Sequence, residues 1–292
     1  MHTRHLIAAA TASAALLLTG CAGPAASDAG ASSRSGITLP ASIEDKGAID
    51  VGVYFNYPPY TFEKNGELQG IEADLMRAVA DELGVEVEFH DLAFEAMVPS
   101  VMNGRMDMLI GPIAETDERR EAVSFIDTMN LGLQAVVKKG NPTGFDIEDP
   151  CGAKGGEVAA SNNINTLALM STECEEAGEK PISALSLPDS GNVFQSVLSG
   201  RTDFTMQEPP LARYMVETNP ELELQGDSFV SPLAAREGWV FAKENTELID
   251  AMMAAIQASI DAGTWTAIMD EAGLADLALL PPLVNGEPHN TK

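Results

Sequence analysis

The sequence predicts an α/β protein with two lobes, each built on a parallel sheet, and three observations support this fold class. Apolar runs typical of buried strands alternate with amphipathic stretches typical of helices. The alternation starts again near residue 133, after one complete series. The chain has 292 residues, 45% of them hydrophobic, which is enough to bury one large core or two ordinary cores.

The first series of elements runs from a strand at 48–53 to a buried strand at 106–113. Its other predicted elements are a hairpin-type turn at 64–66, a helix at 72–83, a strand at 85–89 and a helix at 94–103. The first helix has apolar residues at Leu75, Val79 and Leu83 and ends at Gly84. Thr116 starts a further helix, because a hydroxyl cap precedes acids in its first turn.

The second series repeats this order after a strand at 131–138. Its predicted elements are strands at 158–160, 204–206 and 238–242, helices at 192–198 and 248–260, and a last helix near Ile268. Alternating strands and helices imply parallel sheets whose faces the helices cover.

The composition is strongly acidic. The chain has 44 Asp and Glu residues against 17 Lys and Arg, a formal net charge of −27. This charge excludes sequence-independent binding to nucleic acid, which needs basic side chains to displace counterions. It also argues against electrostatic docking on anionic lipid.

Residues 1–20 have the layout of a secretory signal peptide. Arg4 precedes an apolar run from Leu6 to Leu18, which is too short to span a bilayer. The run ends in Leu18-Thr19-Gly20-Cys21, which resembles a bacterial lipobox, and this resemblance implies that Cys21 is acylated and anchors the chain to the membrane. The alternative is an ordinary signal peptide with a cysteine nearby. The residues that follow, 21–45, are rich in Ala, Gly, Ser and Pro and are interpreted as a flexible tether.

The two remaining cysteines, Cys151 and Cys174, would lie in an exported, oxidising compartment. We expect them to form a disulfide, and two free thiols are the alternative. A zinc site is not expected, because neither cysteine has a histidine nearby in the sequence. No cofactor and no metal are predicted.

Several short motifs occur in a characteristic order. They are Tyr57-Pro58-Pro59-Tyr60, Gly70-Ile71-Glu72-Ala73-Asp74-Leu75, the strand at 107–113 with Thr116-Asp117-Glu118-Arg119, Val123-Ser124-Phe125, Gly200-Arg201-Thr202-Asp203 and Asp261-Ala262-Gly263-Thr264-Trp265. In order and spacing they resemble family 3 of the extracellular solute-binding proteins, the polar amino-acid receptors of ABC importers. The resemblance covers about residues 47–275.

The resemblance implies a periplasmic-binding-protein-like fold of type II, with two lobes joined by two hinge strands. Lobe 1 would comprise 46–132 plus 236–280, and lobe 2 would comprise 133–235. A small molecule of the amino-acid class would bind between the lobes, and hinge closure would trap it. The chain is expected to act as a monomer, attached to the membrane by lipid only, and to deliver its ligand to an ABC permease.

The resemblance also implies a set of ligand-binding residues. Arg119 would bind the ligand's α-carboxylate with its guanidinium fork, and Glu208 would pair with the α-ammonium. The other positions are Tyr54, the aromatic pair Tyr57 and Phe94, the backbone stretch with Gly111, Ile113 and Ala114, the turn with Asn162 and Asn163, and Gln207 beside Glu208.

Each of these assignments has a plainer alternative. Arg119 could be a surface residue neutralised by Asp117 and Glu118, and Glu208 could be a solvated loop acid. Tyr57 and Phe94 could belong to ordinary core packing. A phosphate loop at 152–156 is a further alternative, although its spacing fits no known phosphate motif.

Three positions depart from the family pattern. Ala114 stands where a hydroxyl residue is common, Glu208 is one methylene longer than the usual Asp, and Tyr54 replaces an acid found in receptors for cationic side chains. Together they favour a polar neutral amino acid, or an amino-acid derivative, over a basic one.

Two other functions remain open at this point. The chain could be a cyclohexadienyl-dehydratase-like enzyme, with Glu208 as general acid in a closed cleft. It could also be a ligand-sensing lipoprotein on the same fold. We expect no enzyme, because the sequence offers no Ser–His–acid or Cys–His set.

Overall fold

The structure is a computed structural model that describes residues 36–289. The predicted signal peptide, Cys21 and most of the predicted tether lie outside the described residues. The described helices are α1 (Ala41–Lys46), α2 (Ile71–Leu83), α3 (Phe94–Met102), α4 (Asp117–Ala122), α5 (Asn162–Glu176), α6 (Ser190–Leu198), α7 (Pro209–Thr218), α8 (Thr246–Asp261) and α9 (Thr264–Glu271). The first eight described strands are β1 (Ala48–Val53), β2 (Asn56–Tyr57), β3 (Thr61–Lys64), β4 (Glu67–Gln69), β5 (Glu86–Asp91), β6 (Met108–Ala114), β7 (Val123–Asn130) and β8 (Leu133–Lys138). They are followed by β9 (Lys154–Val158), β10 (Ser183–Leu187), β11 (Phe204–Gln207), β12 (Leu222–Phe229), β13 (Arg236–Ala242), β14 (Ala278–Val284) and β15 (Glu287–Pro288).

The first large sheet has the strand order β15-β14-β7-β13-β6-β1-β5 among the described residues. Its centre is parallel where β1 lies between β5 and β6, and β13 joins β6 and β7 in antiparallel pairing. One core packs α2, α8 and α9 against this sheet, with Trp239 and Trp265 in edge contact inside it. A second core packs α3 on β6, β7 and β13.

The second large sheet has the order β10-β9-β11-β8-β12. Strand β9 is parallel to both β10 and β11, whereas β8 pairs antiparallel with β11 and β12. Its cores include the stacked rings of Phe145 and Phe204, whose centroids lie 3.9 Å apart. Helices α5 and α6 pack on β9, so helices cover sheet faces in both halves, as the alternating pattern predicts. The expectation of parallel sheets is only partly met, because both sheets also contain antiparallel pairs.

The chain passes between the two sheets at two places among the described residues, from β7 to β8 and from β12 to β13. This two-lobe α/β fold confirms the predicted fold class. Strands β8 to β12 fall inside 133–235, the range predicted for lobe 2. The exact lobe boundaries stay a prediction.

Three details differ from the sequence-based expectations. The predicted end of the flexible tether, at residue 45, is wrong, because Ala41–Lys46 form helix α1. Its Ile43 is 2% exposed and packs in the core of the first sheet. Local composition cannot reveal that one apolar residue docks on a distant surface. The strand predicted at 158–160 ends at Val158, since Ala160 has a φ of 60°. Strands β14 and β15 continue the first sheet beyond residue 280.

Cys151 and Cys174 form the predicted disulfide, with their Cα atoms 5.6 Å apart. The bond joins the loop before β9 to α5, and Cys174 belongs to the core that these elements share. Among the described residues, no helix combines the length and apolar character needed to cross a membrane.

Candidate functional site

One cavity between the two sheets brings together all eleven residues that the sequence predicts as ligand contacts. The space not filled by atoms measures about 570 Å³, including the part that opens to solvent. The predicted residues in its lining are Tyr54, Tyr57, Phe94, Gly111, Ile113, Ala114, Arg119, Asn162, Asn163, Gln207 and Glu208. Residues that the sequence reasoning did not name also line it: Thr61, Met97, Ile110, Pro112, Glu157, Val158 and Ser161.

Arg119 lies in the first turn of α4, and the hydroxyl of Thr116 accepts a hydrogen bond from its backbone N–H at 3.2 Å. Its guanidinium donates to the carbonyl of Ala114 at 2.8 Å and, across the cavity, to the carbonyl of Ala160 at 3.0 Å. The guanidinium carbon lies 5.9 Å from the centre of the Phe94 ring. These contacts hold the side chain in the cavity.

No carboxylate of the described residues lies within 4.0 Å of the Arg119 guanidinium, and burial lowers its pKa. Of the two acids in that alternative, Asp117 pairs with Arg120, and the charge of Glu118 opposes the lowering of the Arg119 pKa. A half-buried cation that meets only carbonyl oxygens has unused capacity to bind an anion.

The aromatic residues of the first lobe form one wall. The ring centroids of Tyr54 and Phe94 lie 6.2 Å apart in an edge arrangement, and Tyr57 lies 6.2 Å from Tyr54. The Tyr54 hydroxyl accepts a hydrogen bond at 3.0 Å from the backbone N–H of Ser190, at the start of α6 in the second lobe. The wall therefore combines apolar ring surface with the Tyr54 hydroxyl group, which contacts the other lobe.

The end of β6 supplies the backbone part of the lining. Gly111 has a φ of 128°, a conformation that a residue with a Cβ rarely adopts. Ile113 and Ala114 are 1% and 5% exposed, so they face packed surroundings while their backbone borders the cavity. The missing hydroxyl at Ala114 leaves its carbonyl oxygen as the polar group there, and Arg119 already occupies it.

Asn162 and Asn163 lie in the first turn of α5, which Ser161 caps by accepting from the N–H of Ile164. Both side chains have structural partners: Asn162 Nδ2 donates to Ser231 Oγ at 3.0 Å, and Asn163 Nδ2 donates to the Met206 carbonyl at 2.9 Å. They tie the helix start to neighbouring segments of the second lobe. Asn162 Oδ1 is buried and has no partner among the described atoms.

Glu208 faces the first lobe from the second. The Tyr57 hydroxyl donates to the Glu208 carboxylate and lies 3.3 Å from Gln207 Oε1. Burial raises the pKa of Glu208 to about 6, while the Tyr57 hydrogen bond opposes that rise. Burial, together with the negative charge of Glu208, raises the pKa of Tyr57 well above its ordinary value. Glu208 is 6% exposed, so it is no solvated loop acid.

Glu157, near the end of β9, is the acidic cavity residue that sequence reasoning missed. Its carboxylate accepts hydrogen bonds from Thr205 Oγ1, Met206 N and Gln207 Nε2. Burial raises its pKa well above the ordinary value, and these hydrogen bonds oppose the rise. An acid in the buried part of a strand, between Gly156 and Val158, is the signal that could have drawn attention to it.

Further buried acids lie behind the cavity in the first lobe. Glu72 accepts a hydrogen bond from Trp239 Nε1 at 2.5 Å, and burial raises its pKa to about 7. Glu237 lies 3.4 Å from the Tyr60 hydroxyl, and burial together with the charges of Glu208 and Glu72 raises its pKa well above the ordinary value. Glu208 of the second lobe therefore lies near buried carboxyl groups of the first lobe, and its charge helps to raise the pKa of Glu237.

A cavity of this kind between two hinged α/β lobes is typical of a two-lobe binding protein for small molecules. The chain belongs to the bacterial extracellular solute-binding proteins, family 3, whose family model matches residues 49–273.

Named relatives share most of the chain. It is 30% identical over 258 residues to an arginine-binding protein of Corynebacterium glutamicum, covering 86% of this chain and 83% of the relative. It is 26% identical over 238 residues to an L-cystine-binding protein of Escherichia coli K12, covering 80% and 86%.

Solved structures show the same fold. An ancestral arginine-binding protein bound to arginine matches with 29% identity and a TM-score of 0.68, covering 77% of this chain and 97% of that one. An amino acid ABC transporter substrate-binding protein from Streptococcus pneumoniae, bound to L-arginine, matches with 26% identity and a TM-score of 0.68, covering 81% and 98%.

Proposed function

We propose that this chain is the extracellular solute-binding component of an ABC importer and that it captures an amino acid between its lobes. One observation carries the proposal. The Arg119 guanidinium, without a carboxylate partner in the described residues, and the buried Glu208 carboxylate line the same cavity from opposite lobes. An α-amino acid carries an anion and a cation on one carbon, so it suits a site with these two groups.

In this proposal the ligand's carboxylate accepts from Arg119, and its ammonium donates to Glu208 in place of the Tyr57 hydroxyl. Both contacts exist together only when the lobes are closed, so binding shifts the population towards the closed state. The eleven predicted residues are the proposed ligand contacts. Lobe 1 at 46–132 plus 236–280 and lobe 2 at 133–235 are the proposed moving parts.

The ligand's side chain would lie against the first lobe's aromatic and apolar residues, which include Phe94, Met97 and Ile110. The acids in the described lining are Glu157 and Glu208, both on the second lobe and both already hydrogen-bonded. A guanidinium side chain would therefore lack an acid of its own, and we propose a polar neutral amino acid. The arginine named for two relatives makes arginine the main competitor in any test.

We further propose that the protein is exported, that acylation of Cys21 anchors it to the membrane, and that it delivers its ligand as a monomer to a membrane permease. The lipobox-like sequence before Cys21 supports the anchor. Labelling with a radioactive fatty acid should succeed in the wild type and fail in a Cys21→Ser variant. Equal labelling of both would contradict the anchor and leave ligand capture untouched.

We also propose binding without turnover, since the relatives named above are binding proteins. The decisive experiment is calorimetric titration of the refolded, ligand-free protein with each common L-amino acid and with L-cystine. We expect micromolar or tighter binding of at least one polar neutral amino acid. Tightest binding of arginine would overturn the assignment of side-chain class, and no binding at millimolar concentration would overturn amino-acid capture.

A further inference from the structure

Glu157 is fully buried, lines the cavity, and has no cationic partner among the described residues. Its two carboxylate oxygens accept from different donors. Oε1 accepts from the backbone N–H of Met206 at 2.6 Å and from Thr205 Oγ1 at 3.2 Å, and Oε2 accepts from Gln207 Nε2 at 3.1 Å. Both oxygens act as acceptors in the ionised carboxylate, and these three donors favour that form against the rise in pKa that burial causes.

These contacts fix the direction of the Gln207 amide. Thr205 has one hydroxyl hydrogen and donates it to Glu157, so its oxygen accepts from Gln207 Nε2 at 2.6 Å. Both amide hydrogens of Gln207 are then engaged, one by Thr205 and one by Glu157. The amide oxygen consequently faces the cavity, 3.3 Å from the Tyr57 hydroxyl.

We propose that Glu157 is a positioning residue that holds the Gln207 carbonyl oxygen towards the cavity, so that Gln207 and Glu208 present adjacent acceptors to the ammonium of the ligand. The inference rests on the proposed capture of an amino acid and deepens it. An ammonium has several N–H donors, and a carboxylate beside an amide oxygen accepts from two of them. Glu157 thereby selects ligands with a free ammonium group without contacting it.

The substitution Glu157→Gln tests this directly, because it keeps the shape and removes one acceptor. The backbone N–H of Met206 cannot reverse, so the introduced amide must turn its oxygen towards that group. Its NH₂ then faces the NH₂ of Gln207, and the Gln207 amide has to flip. A donor would replace the acceptor beside Glu208, and the ammonium would lose a partner.

Binding is measured with four probes, L-glutamine, L-arginine, L-histidine and L-cystine. For every probe that binds the wild type, we expect the Kd of Glu157→Gln to rise about tenfold or more. The double variant Glu157→Gln with Gln207→Glu restores a donor–acceptor match and an acceptor at the cavity, and its Kd should return to within about threefold of wild type. Unchanged affinity in Glu157→Gln, or no recovery in the double variant, overturns the proposal.

Asp203→Asn is the matched control. Asp203 lies at the other end of the same strand pair and accepts from the backbone N–H of Lys154 at 2.8 Å, which an amide oxygen can also do. The Kd of Asp203→Asn for each probe should equal that of the wild type, and melting curves should show that all variants are folded. An equal loss in Asp203→Asn and Glu157→Gln would mean a general structural effect and would overturn the positioning role.

A ligand-free measurement separates this inference from the proposed function. Side-chain amide NMR signals of Gln207, assigned with a Gln207→Ala variant, should show contacts to Thr205 in the wild type and to Tyr57 in Glu157→Gln. Wild-type contacts to Tyr57 would overturn the inference even if amino acids bind. If no common amino acid and no L-cystine binds at millimolar concentration but these contacts appear, amino-acid capture is contradicted and the positioning by Glu157 stands.

Discussion

The two lobes line the cavity with groups of opposite character, a cation on one wall and hydrogen-bond acceptors on the other. The first lobe presents a cation, Arg119, on a short capped helix, and its partners are carbonyl oxygens. The second lobe presents acceptors, Gln207 and Glu208, and a third buried group, Glu157, accepts a hydrogen bond from the Gln207 amide. Burial disfavours charge on both walls, so each wall gains from a ligand that brings the opposite charge. The comparison indicates a site organised for a zwitterion.

The largest expected effect concerns the first wall. Arg119→Ala should weaken binding of the tightest amino acid by several kcal/mol, because the ligand's buried carboxylate loses its charged partner. Titration calorimetry measures the change. Arg120→Ala is the matched control, since Arg120 pairs with Asp117 and Glu115 outside the cavity lining and its loss should leave affinity near wild type. A loss under threefold in Arg119→Ala would place the anion site elsewhere.

The stability of the second lobe depends on the Cys151–Cys174 disulfide as well as on packing. Replacing Cys151 and Cys174 by serine should lower the free energy of unfolding by about 3 kcal/mol, because the unfolded chain regains the entropy of an open loop. Urea unfolding of the double variant measures this. Affinity for amino acids should change little, since neither cysteine lines the cavity. An unchanged unfolding midpoint would show that the bond contributes nothing to this lobe.

Buried acids away from the cavity should affect stability rather than binding. Glu72 has a pKa near 7 in the folded protein against an ordinary 4.5, so the folded state binds a proton more readily than the unfolded state. Stability therefore falls as pH rises from about 4.5 to about 7. In Glu72→Gln, the decrease in the free energy of unfolding over this pH range should be smaller than in the wild type by on the order of 1–3 kcal/mol. The exposed Glu86→Gln serves as control, and parallel pH profiles of unfolding for all three proteins would contradict the role given to Glu72.

The smallest expected effect is the pH dependence of ligand affinity. An ammonium binds Glu208 in its ionised form, and the pKa of Glu208 is about 6, so affinity should fall as pH drops through that value. Between pH 7.5 and pH 5 the Kd should rise about tenfold. Tyr57, Tyr60, Glu157 and Glu237 are further titratable groups that interact with the Glu208 charge. A Kd that stays constant across this range would argue against ammonium binding at Glu208.

Much of the cavity was predictable because its residues lie within motifs that keep their order along the chain. Arg119 follows a capping Thr116, and Glu208 directly follows a buried strand, so each has a local signature. Glu157 had no local signature beyond its place next to Gly156 in a short strand, because its proposed role depends on Thr205 and Gln207 from a neighbouring strand. Hydrogen bonds between strands distant in sequence leave no local pattern.

The sequence by itself determined the α/β class and the pairing of Cys151 with Cys174, because these depend on local pattern and residue type, and its resemblance to a family predicted eleven of the residues that meet in the cavity. Tertiary structure decided that α1 joins the first core and that strands β14 and β15 extend the first sheet. It also decided which way the Gln207 amide faces. These outcomes depend on the partners that folding brings within reach, and burial gives each such contact its strength.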